Sequence, residues 1–197
     1  MADAAAGPPG DAGGMTTNQA VNSPATQPAA IAAPAPGTYR IDAARSAITF
    51  TTRHLFGLGA VHGRFELRDG EIRVTDPLSE SSARAKISAA SFHTGNPSRD
   101  GTVRSARLLD TGTHPEITFI SRRLDQAGGR WVLHGLLSVR GKAHPVELLI
   151  EEVQSAGRDP RLRASVRLDR YDFGITKYKG LAARHLGFRL DIVAHRL

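Results

Sequence analysis

Residues 61–74 read Val-His-Gly-Arg-Phe-Glu-Leu-Arg-Asp-Gly-Glu-Ile-Arg-Val. Successive side chains of an extended chain point to opposite faces, so Val61, Gly63, Phe65 and Leu67 share one side and His62, Arg64, Glu66 and Arg68 the other. Asp69-Gly70 is a strong hairpin signal, and Ile72 and Val74 would then open the return strand. The same period of two recurs outward from this stretch. Ile48, Phe50, Thr52 and His54 alternate with Ala47, Thr49, Thr51 and Arg53, while Ala83, Ala85, Ile87 and Ala89 alternate with Arg84, Lys86 and Ser88. Ile117 and Phe119 begin a strand that turns at Gly128-Gly129 into Trp131, Leu133, Gly135, Leu137 and Val139. Gly141-Lys142 turns again into Val146, Leu148 and Ile150, and two further runs follow at Leu162–Leu168 and Phe188–Ala194.

These runs make eight or more strands, each with one face that must leave water. A two-sheet sandwich or a closed barrel would satisfy them. The inward sets mix Ala, Gly and Thr with Leu, Ile and Phe, which favours a ring of about eight strands around a cavity. One helix interrupts the order: Asn96-Pro97-Ser98 supplies a cap and a first-turn proline, and Asp100 suits the positive helix start. The helix is predicted over Ser98 to about Leu108, ended near Thr111-Gly112, and placed over one end of the barrel. Tyr171 to Arg184 is expected to form a loop at a barrel mouth, with Gly174 permitting a turn and Asp172 capping it.

Composition narrows the function classes. The 197 residues include no cysteine, which removes disulfides, thiolate metal sites and thiol nucleophiles. Residues 1–37 are rich in Ala, Pro, Gly, Thr, Gln and Asn and bury too little to offset ordering entropy, so a disordered tail is expected there and a single domain over 38–197. Taking the −2 of Asp3 and Asp11 from the net charge of +7 leaves +9 on that domain. The basic residues are spread over many strands and form no compact run, which argues against a dedicated nucleic-acid site. No apolar stretch reaches the length of a membrane span, and the N-terminus lacks a basic n-region, so a cytoplasmic protein is expected. The eight histidines show no compact ligand spacing, so neither a metal nor another cofactor is expected. There is also no Gly-x-Ser-x-Gly elbow, and Asp172-Phe173-Gly174 stands without the other kinase motifs.

An ordered set of short motifs resembles the YceI family. It runs through Tyr39-Arg-Ile-Asp42, Ser46-Ala-Ile-Thr-Phe50, His54 and Gly63-Arg-Phe65. Ser91-Phe-His-Thr94, Arg99-Asp100, Arg104-Ser105, Leu109-Asp110 and His114-Pro-Glu-Ile-Thr-Phe119 follow, then Gly135-Leu-Leu-Ser-Val-Arg-Gly141, Pro145-Val146 and Arg170-Tyr-Asp-Phe-Gly174. The resemblance covers residues 38–197. It implies an all-β fold, an extended eight-stranded antiparallel lipocalin-like barrel with one short helix covering an end. It also implies an elongated apolar tunnel that binds a polyisoprenoid or related long-chain lipid rather than catalysing a reaction. The chain departs from the family pattern at Thr102, Val103, Arg107 and Leu108, all on the expected covering helix, and it lacks the export signal the family often has.

The expected ligand-contacting set follows from the inward faces and the helix. Phe50, Phe65, Phe119 and Phe188 form a lipid-contacting wall, the alternative for each being ordinary core packing, and Thr52, Ile87, Phe92, Leu108, Leu133 and Phe173 complete the expected ligand-binding set. Arg99, Asp100 and Arg104 would anchor an anionic headgroup, since Arg forks onto oxyanions, or else serve as a structural ion pair and cap. His54 would meet a polar headgroup or carry a proton. The favoured function is binding, transport or sequestration of a polyisoprenoid, isoprenoid quinone or fatty-acid-like lipid. An enzyme that cyclises or isomerises a hydrophobic substrate on the same barrel would use His54, Asp100 and Tyr171. A basic surface module for nucleic acid or anionic membrane is the third class. A second copy of the chain, as a homodimer, is a candidate partner.

Overall fold

The computed structural model describes residues 33–54, 59–155 and 159–197; of His54 only the backbone is described. The first 32 residues, and with them most of the expected tail, lie outside the described residues. Nine strands follow one another as β1 Gly37–Ile41, β2 Ala47–His54, β3 Gly59–Val74, β4 Ser82–His93, β5 Glu116–Ala127, β6 Arg130–Val139, β7 Lys142–Gln154, β8 Arg161–Asp169 and β9 His185–Arg196. All pair antiparallel, and β9 closes onto β2, so β2 to β9 form a ring of eight positions. The ninth strand adds no position. β1 pairs with residues 71–74 of β3 and 194–196 of β9, continuing the line that β2 takes against residues 59–65 and 187–191. A closed ring leaves no unpaired sheet edge, which answers the hazard that exposed edges present.

The expected hairpin at Asp69-Gly70 is not a turn. β3 runs straight through it, with Asp69 opposite Lys86 and Gly70 opposite Ala85. Between Leu67, opposite Ile87, and Asp69, opposite Lys86, one extra residue is inserted. Such a bulge flips the inward parity, so Phe65 and Leu67 are followed inward by Ile72 and Val74. Glycine stands at 70 because a Cβ would come within 2.6 Å of Ile41 Cδ1. Like slips lie between Ser121 and Arg123 in β5 and between Ile150 and Glu152 in β7. They bend long strands into closure. The Gly128-Gly129 turn stands as expected, while the next turn is Arg140-Gly141, one residue earlier, with φ of +53° and +71°.

Two inward glycines admit phenylalanine rings. A Cβ at Gly63 would collide with the Phe50 ring opposite it, and one at Gly135 with the Phe119 ring. Phe50, Phe65, Phe92 and Phe188 consequently form one cluster on the β2, β3, β4 and β9 side, with ring centroids 5.3–6.3 Å apart.

The helix α1 covers Pro97–Arg104 only, ending about four residues short of the expected Leu108. Asn96 caps it by accepting from Arg99 N at 3.0 Å. Ser105 leaves the helix with extended backbone, and its carbonyl accepts from Leu108 N and Asp110 N. The chain turns there so that Leu108 and Leu109 are buried. A short 3-10 turn, Leu78–Glu80, lies at the other end of the barrel.

Candidate functional site: an apolar cavity through the barrel

A cavity of about 620 Å³ occupies the barrel interior. This lies within the range of small-molecule binding sites, roughly 300–1,000 Å³. Trp131, Leu133, Leu137 and Val139 of β6 all line it. Eight residue steps of about 3.3 Å, on strands tilted by about 40°, extend it roughly 20 Å along the barrel axis. Its wall is almost wholly hydrocarbon. Ile48, Phe50, Phe65, Leu67, Ile117, Phe119, Val146, Leu148, Ile150 and Ile192 are buried, whereas Leu133, Leu162, Val166, Leu168, Leu186, Phe188 and Leu190 are only half-buried although they too line the interior. In a filled core these inward residues would be closely packed. Their residual accessibility is to the cavity, and among the described residues no large side chain is completely buried.

Of the residues singled out from sequence, Phe50, Thr52, Phe65, Ile87, Phe92, Arg99, Leu108, Phe119, Leu133, Phe173 and Phe188 line this cavity together. The His54 side chain lies outside the described residues. Asp100 and Arg104 are not on the cavity wall. Asp100 is only 2% exposed. Its carboxylate accepts from Thr94 N at 3.1 Å and from Thr94 Oγ1 at 2.5 Å, and His93 Nδ1 lies 3.4 Å away. Burial acts to raise its pKa, but the Thr94 hydrogen bonds and the nearby His93 and Arg104 outweigh it and hold the group below the ordinary carboxylate value. Arg104 donates Nε and Nη2 to the Phe92 carbonyl at 3.2 and 2.9 Å. These two residues therefore stitch α1 to the end of β4. Arg99, on the cavity, also donates Nε to Thr94 Oγ1 at 2.8 Å.

The group that the sequence reading passed over is Arg170, only 8% exposed and on the cavity wall. It follows β8 and donates Nη1 to Ile175 O at 2.5 Å, Nε to Ala183 O at 2.9 Å and Nη2 to Ala182 O at 3.2 Å. One planar guanidinium thus gathers the whole 170–184 segment around itself, a role its five fixed donors suit. Burial lowers its pKa, offset in part by Tyr171 and Asp169. The turn is capped by Asp169 and not by the expected Asp172: Asp169 Oδ1 accepts from Tyr171 N at 2.9 Å and Oδ2 from Arg184 Nε at 2.6 Å. Burial again works upward on Asp169, and those bonds, with the Arg184 and His185 charges, bring its pKa down. Asp172 instead faces His144 Nε2 at 3.4 Å. Within the loop Phe173, Ile175, Tyr178, Leu181, Ala182 and Ala183 all reach the cavity. The sequence signal for them was the apolar side chains in a stretch otherwise read as an irregular connection. Among the described residues no cluster of His, Asp and Glu is arranged to hold a metal, and no helix is long and apolar enough to cross a membrane.

Comparison with known proteins places this architecture. The model of the YceI-like domain matches residues 39–194. A UPF0312 protein of Vibrio cholerae is 31% identical over 141 residues, covering 67% of this chain and 73% of that one. One from Shewanella baltica is 30% identical over 161 residues, covering 77% and 82%. Among solved structures, Burkholderia cenocepacia BcnA superposes with a TM-score of 0.70 at 22% identity, covering 78% of this chain and 98% of that one. A polyisoprenoid binding domain from Saccharophagus degradans, implicated in plant cell wall breakdown, gives 0.63 at 16% identity, covering 81% and 98%. With the closed eight-position barrel, the covering helix and the ordered motifs from Tyr39 to Gly174 all in place, the chain belongs to the YceI-like family.

Proposed function

We propose that this protein binds one long hydrophobic molecule, a polyisoprenoid, isoprenoid quinone or fatty-acid-like lipid, inside the barrel, and carries or sequesters it. The observation that carries this reading is the cavity itself, some 620 Å³ walled by aliphatic and aromatic side chains, with inward Leu, Val and Phe residues left part-exposed to it. Each methylene moved from water into such a space contributes about 0.8 kcal/mol, so a long chain binds without a charged contact. The polyisoprenoid-binding description of the Saccharophagus degradans neighbour supports the ligand class. The acid–base alternative gains no support from its described candidates. Asp100 is off the cavity and held ionised, and Tyr171 is likewise not on the wall; its ring is approached by Arg170, Arg184 and Lys179 at 4.9–5.4 Å.

Native mass spectrometry of protein purified without detergent is expected to show a retained hydrophobic ligand, and it reads the subunit number in the same spectrum. Val166 is half-buried, lines the cavity and stands opposite Phe188. Val166→Trp should fill the space and abolish retention while the protein still melts cooperatively. Retention unchanged in that variant would place the ligand elsewhere and sink the reading.

A further inference from the structure

The cavity reaches the surface beside an exposed leucine. Leu181 lines the interior yet is 54% exposed, one of three large hydrophobic residues exposed among those described. Its flanks are exposed cations, Lys177, Lys179 and Arg184. The backbone holds this tip in one shape. Leu181 N and Ala182 N both donate to Tyr178 O, at 3.2 and 2.9 Å, and Tyr178 and Gly180 sit at φ of +59° and +80°. Arg107, from the segment after α1, donates to Tyr178 Oη at 3.3 Å and adds another exposed cation beside the tip. The connecting segments at this end, 94–115, 140–141 and 170–184, hold eight Arg or Lys against three Asp, and Asp100 among those three is buried. The described connections at the opposite end hold Asp42, Asp76, Glu80 and Asp159 against one cation, Arg45, which is paired with Asp159.

We propose that the 177–184 tip docks the barrel onto an anionic bilayer, with Leu181 entering the headgroup boundary and Lys177, Lys179 and Arg184 meeting lipid phosphates, so that the cavity opens toward the membrane. An apolar side chain ringed by cations is the chemistry that interfacial binding uses, and each cation near an anionic surface adds to it. Nucleic acid would satisfy the cations but leaves an exposed leucine without a partner. This goes beyond the ligand reading and does not need it, because docking is measurable on protein stripped of any ligand.

The test is cosedimentation of delipidated protein with vesicles of phosphatidylcholine alone or containing one third phosphatidylglycerol. Binding is expected only to the anionic vesicles and should weaken steeply with added salt. Lys177→Ala with Lys179→Ala should lower it about 30-fold, the equivalent of about 1 kcal/mol for each cation. Leu181→Ser should weaken it while leaving the salt dependence intact. A control removes the same charge elsewhere, at Arg73 and Arg130, which are exposed on strand ends away from the tip. Arg73→Ala with Arg130→Ala should bind within about twofold of the parent. Equal losses from both pairs would mean that net charge alone drives association. No binding to anionic vesicles, or equal binding by the Leu181→Ser variant, would equally overturn the docking proposal. Retained ligand in the native mass spectrum would leave the carrier reading standing in each of those cases.

Discussion

At one end of the barrel Arg170 is enclosed by three carbonyls and Asp100 accepts from both Thr94 donors. At the other, β5 turns into β6 on Gly128-Gly129, and the polar contacts include Thr75 N to Ser81 Oγ at 3.1 Å and the exposed pair Arg45–Asp159 at 2.6 Å. The difference follows from what each end must hold. The two-residue turn at 128–129 needs only positive-φ glycines, since the flanking strands supply the hydrogen bonds, and the 75–81 connection pairs its backbone by short neutral contacts within itself. Segments 94–115 and 170–184 are too long for that, and much of their backbone is neither helix nor strand. Buried backbone groups must still be paired, so side-chain charges are used as partners. Ionised groups are thus concentrated in the cover of the cavity, where Arg99 and Arg170 reach the wall with donors engaged by the cover's own oxygens, and the wall stays almost wholly apolar.

The largest expected effect of a single change is therefore at Arg170. Arg170→Ala strips the donors from Ile175, Ala182 and Ala183 carbonyls, and a buried acceptor left unmade costs about 1–3 kcal/mol. Partial hydration of the loosened loop offsets some of that. A loss of about 3 kcal/mol is expected, or a fall in Tm of about 6–12 °C for a domain of this size. Arg170→Lys should recover only part of it, because one ammonium lacks the planar fork. Calorimetry showing Arg170→Ala within about 1 kcal/mol of the parent would break the contrast between the two ends.

Asp100 gives the next effect, and a pH signature that a packing change lacks. Its pKa in the folded protein lies below the ordinary carboxylate value, so the unfolded chain binds the proton more readily. The stability this contributes is fully present above about pH 4 and is lost as pH falls through the folded pKa. Asp100→Asn should cost about 2 kcal/mol at neutral pH, since the hydrogen bonds from Thr94 lose their charge assistance and an amide NH2 replaces the oxygen that faces Thr94 N, His93 and Arg104. The gap between the two proteins should then narrow steadily as the solution is acidified below pH 4. Urea midpoints for both, measured from pH 7 down to pH 3, would show this; a constant gap would assign Asp100 a steric role only.

What was legible beforehand divides along the same line. Strand alternation is a local pattern, and it recovers Ile48, Phe50 and Thr52 of β2 and the inward sets of β6, β8 and β9 because each strand has one face toward the cavity. It fails at Asp69-Gly70, where the letters of a hairpin turn stand in a continuous strand just past a bulge at Arg68. Glycine is needed at 70 for the close approach of Ile41, and only the partner strand β4, continuing in register against Glu71, Ile72 and Arg73, distinguishes this from a turn. The parity change from Leu67 to Ile72 was present in the sequence and marks the slip. Phe50, Thr52, Phe65, Ile87, Phe119, Leu133 and Phe188 on the wall were legible for the same local reason. Arg170 was not, because its three partners lie 5 to 13 positions away in a segment without periodicity. Nor did the sequence distinguish Arg99, on the cavity, from Asp100, buried behind it. That depends on how a two-turn helix is rotated against β4.

The smallest effect is expected at the opposite end, and it tests whether exposure, rather than bond length, is what separates the two. Arg45 Nη1 and Asp159 Oδ2 are 2.6 Å apart, as short a contact as any that Arg170 makes but one. Asp159 raises the pKa of Arg45, first through that hydrogen bond. The two side chains are nevertheless 48% and 28% exposed. Water already solvates both ions, holding two long side chains in one geometry costs rotamer freedom, and salt screens what attraction remains. Arg45→Ala should accordingly melt at the temperature of the parent protein, in low salt and in high. A fall as large as that of Asp100→Asn would mean that short ion pairs stabilise this barrel wherever they occur, and that the cover owes its cohesion to the number of its contacts rather than to their burial.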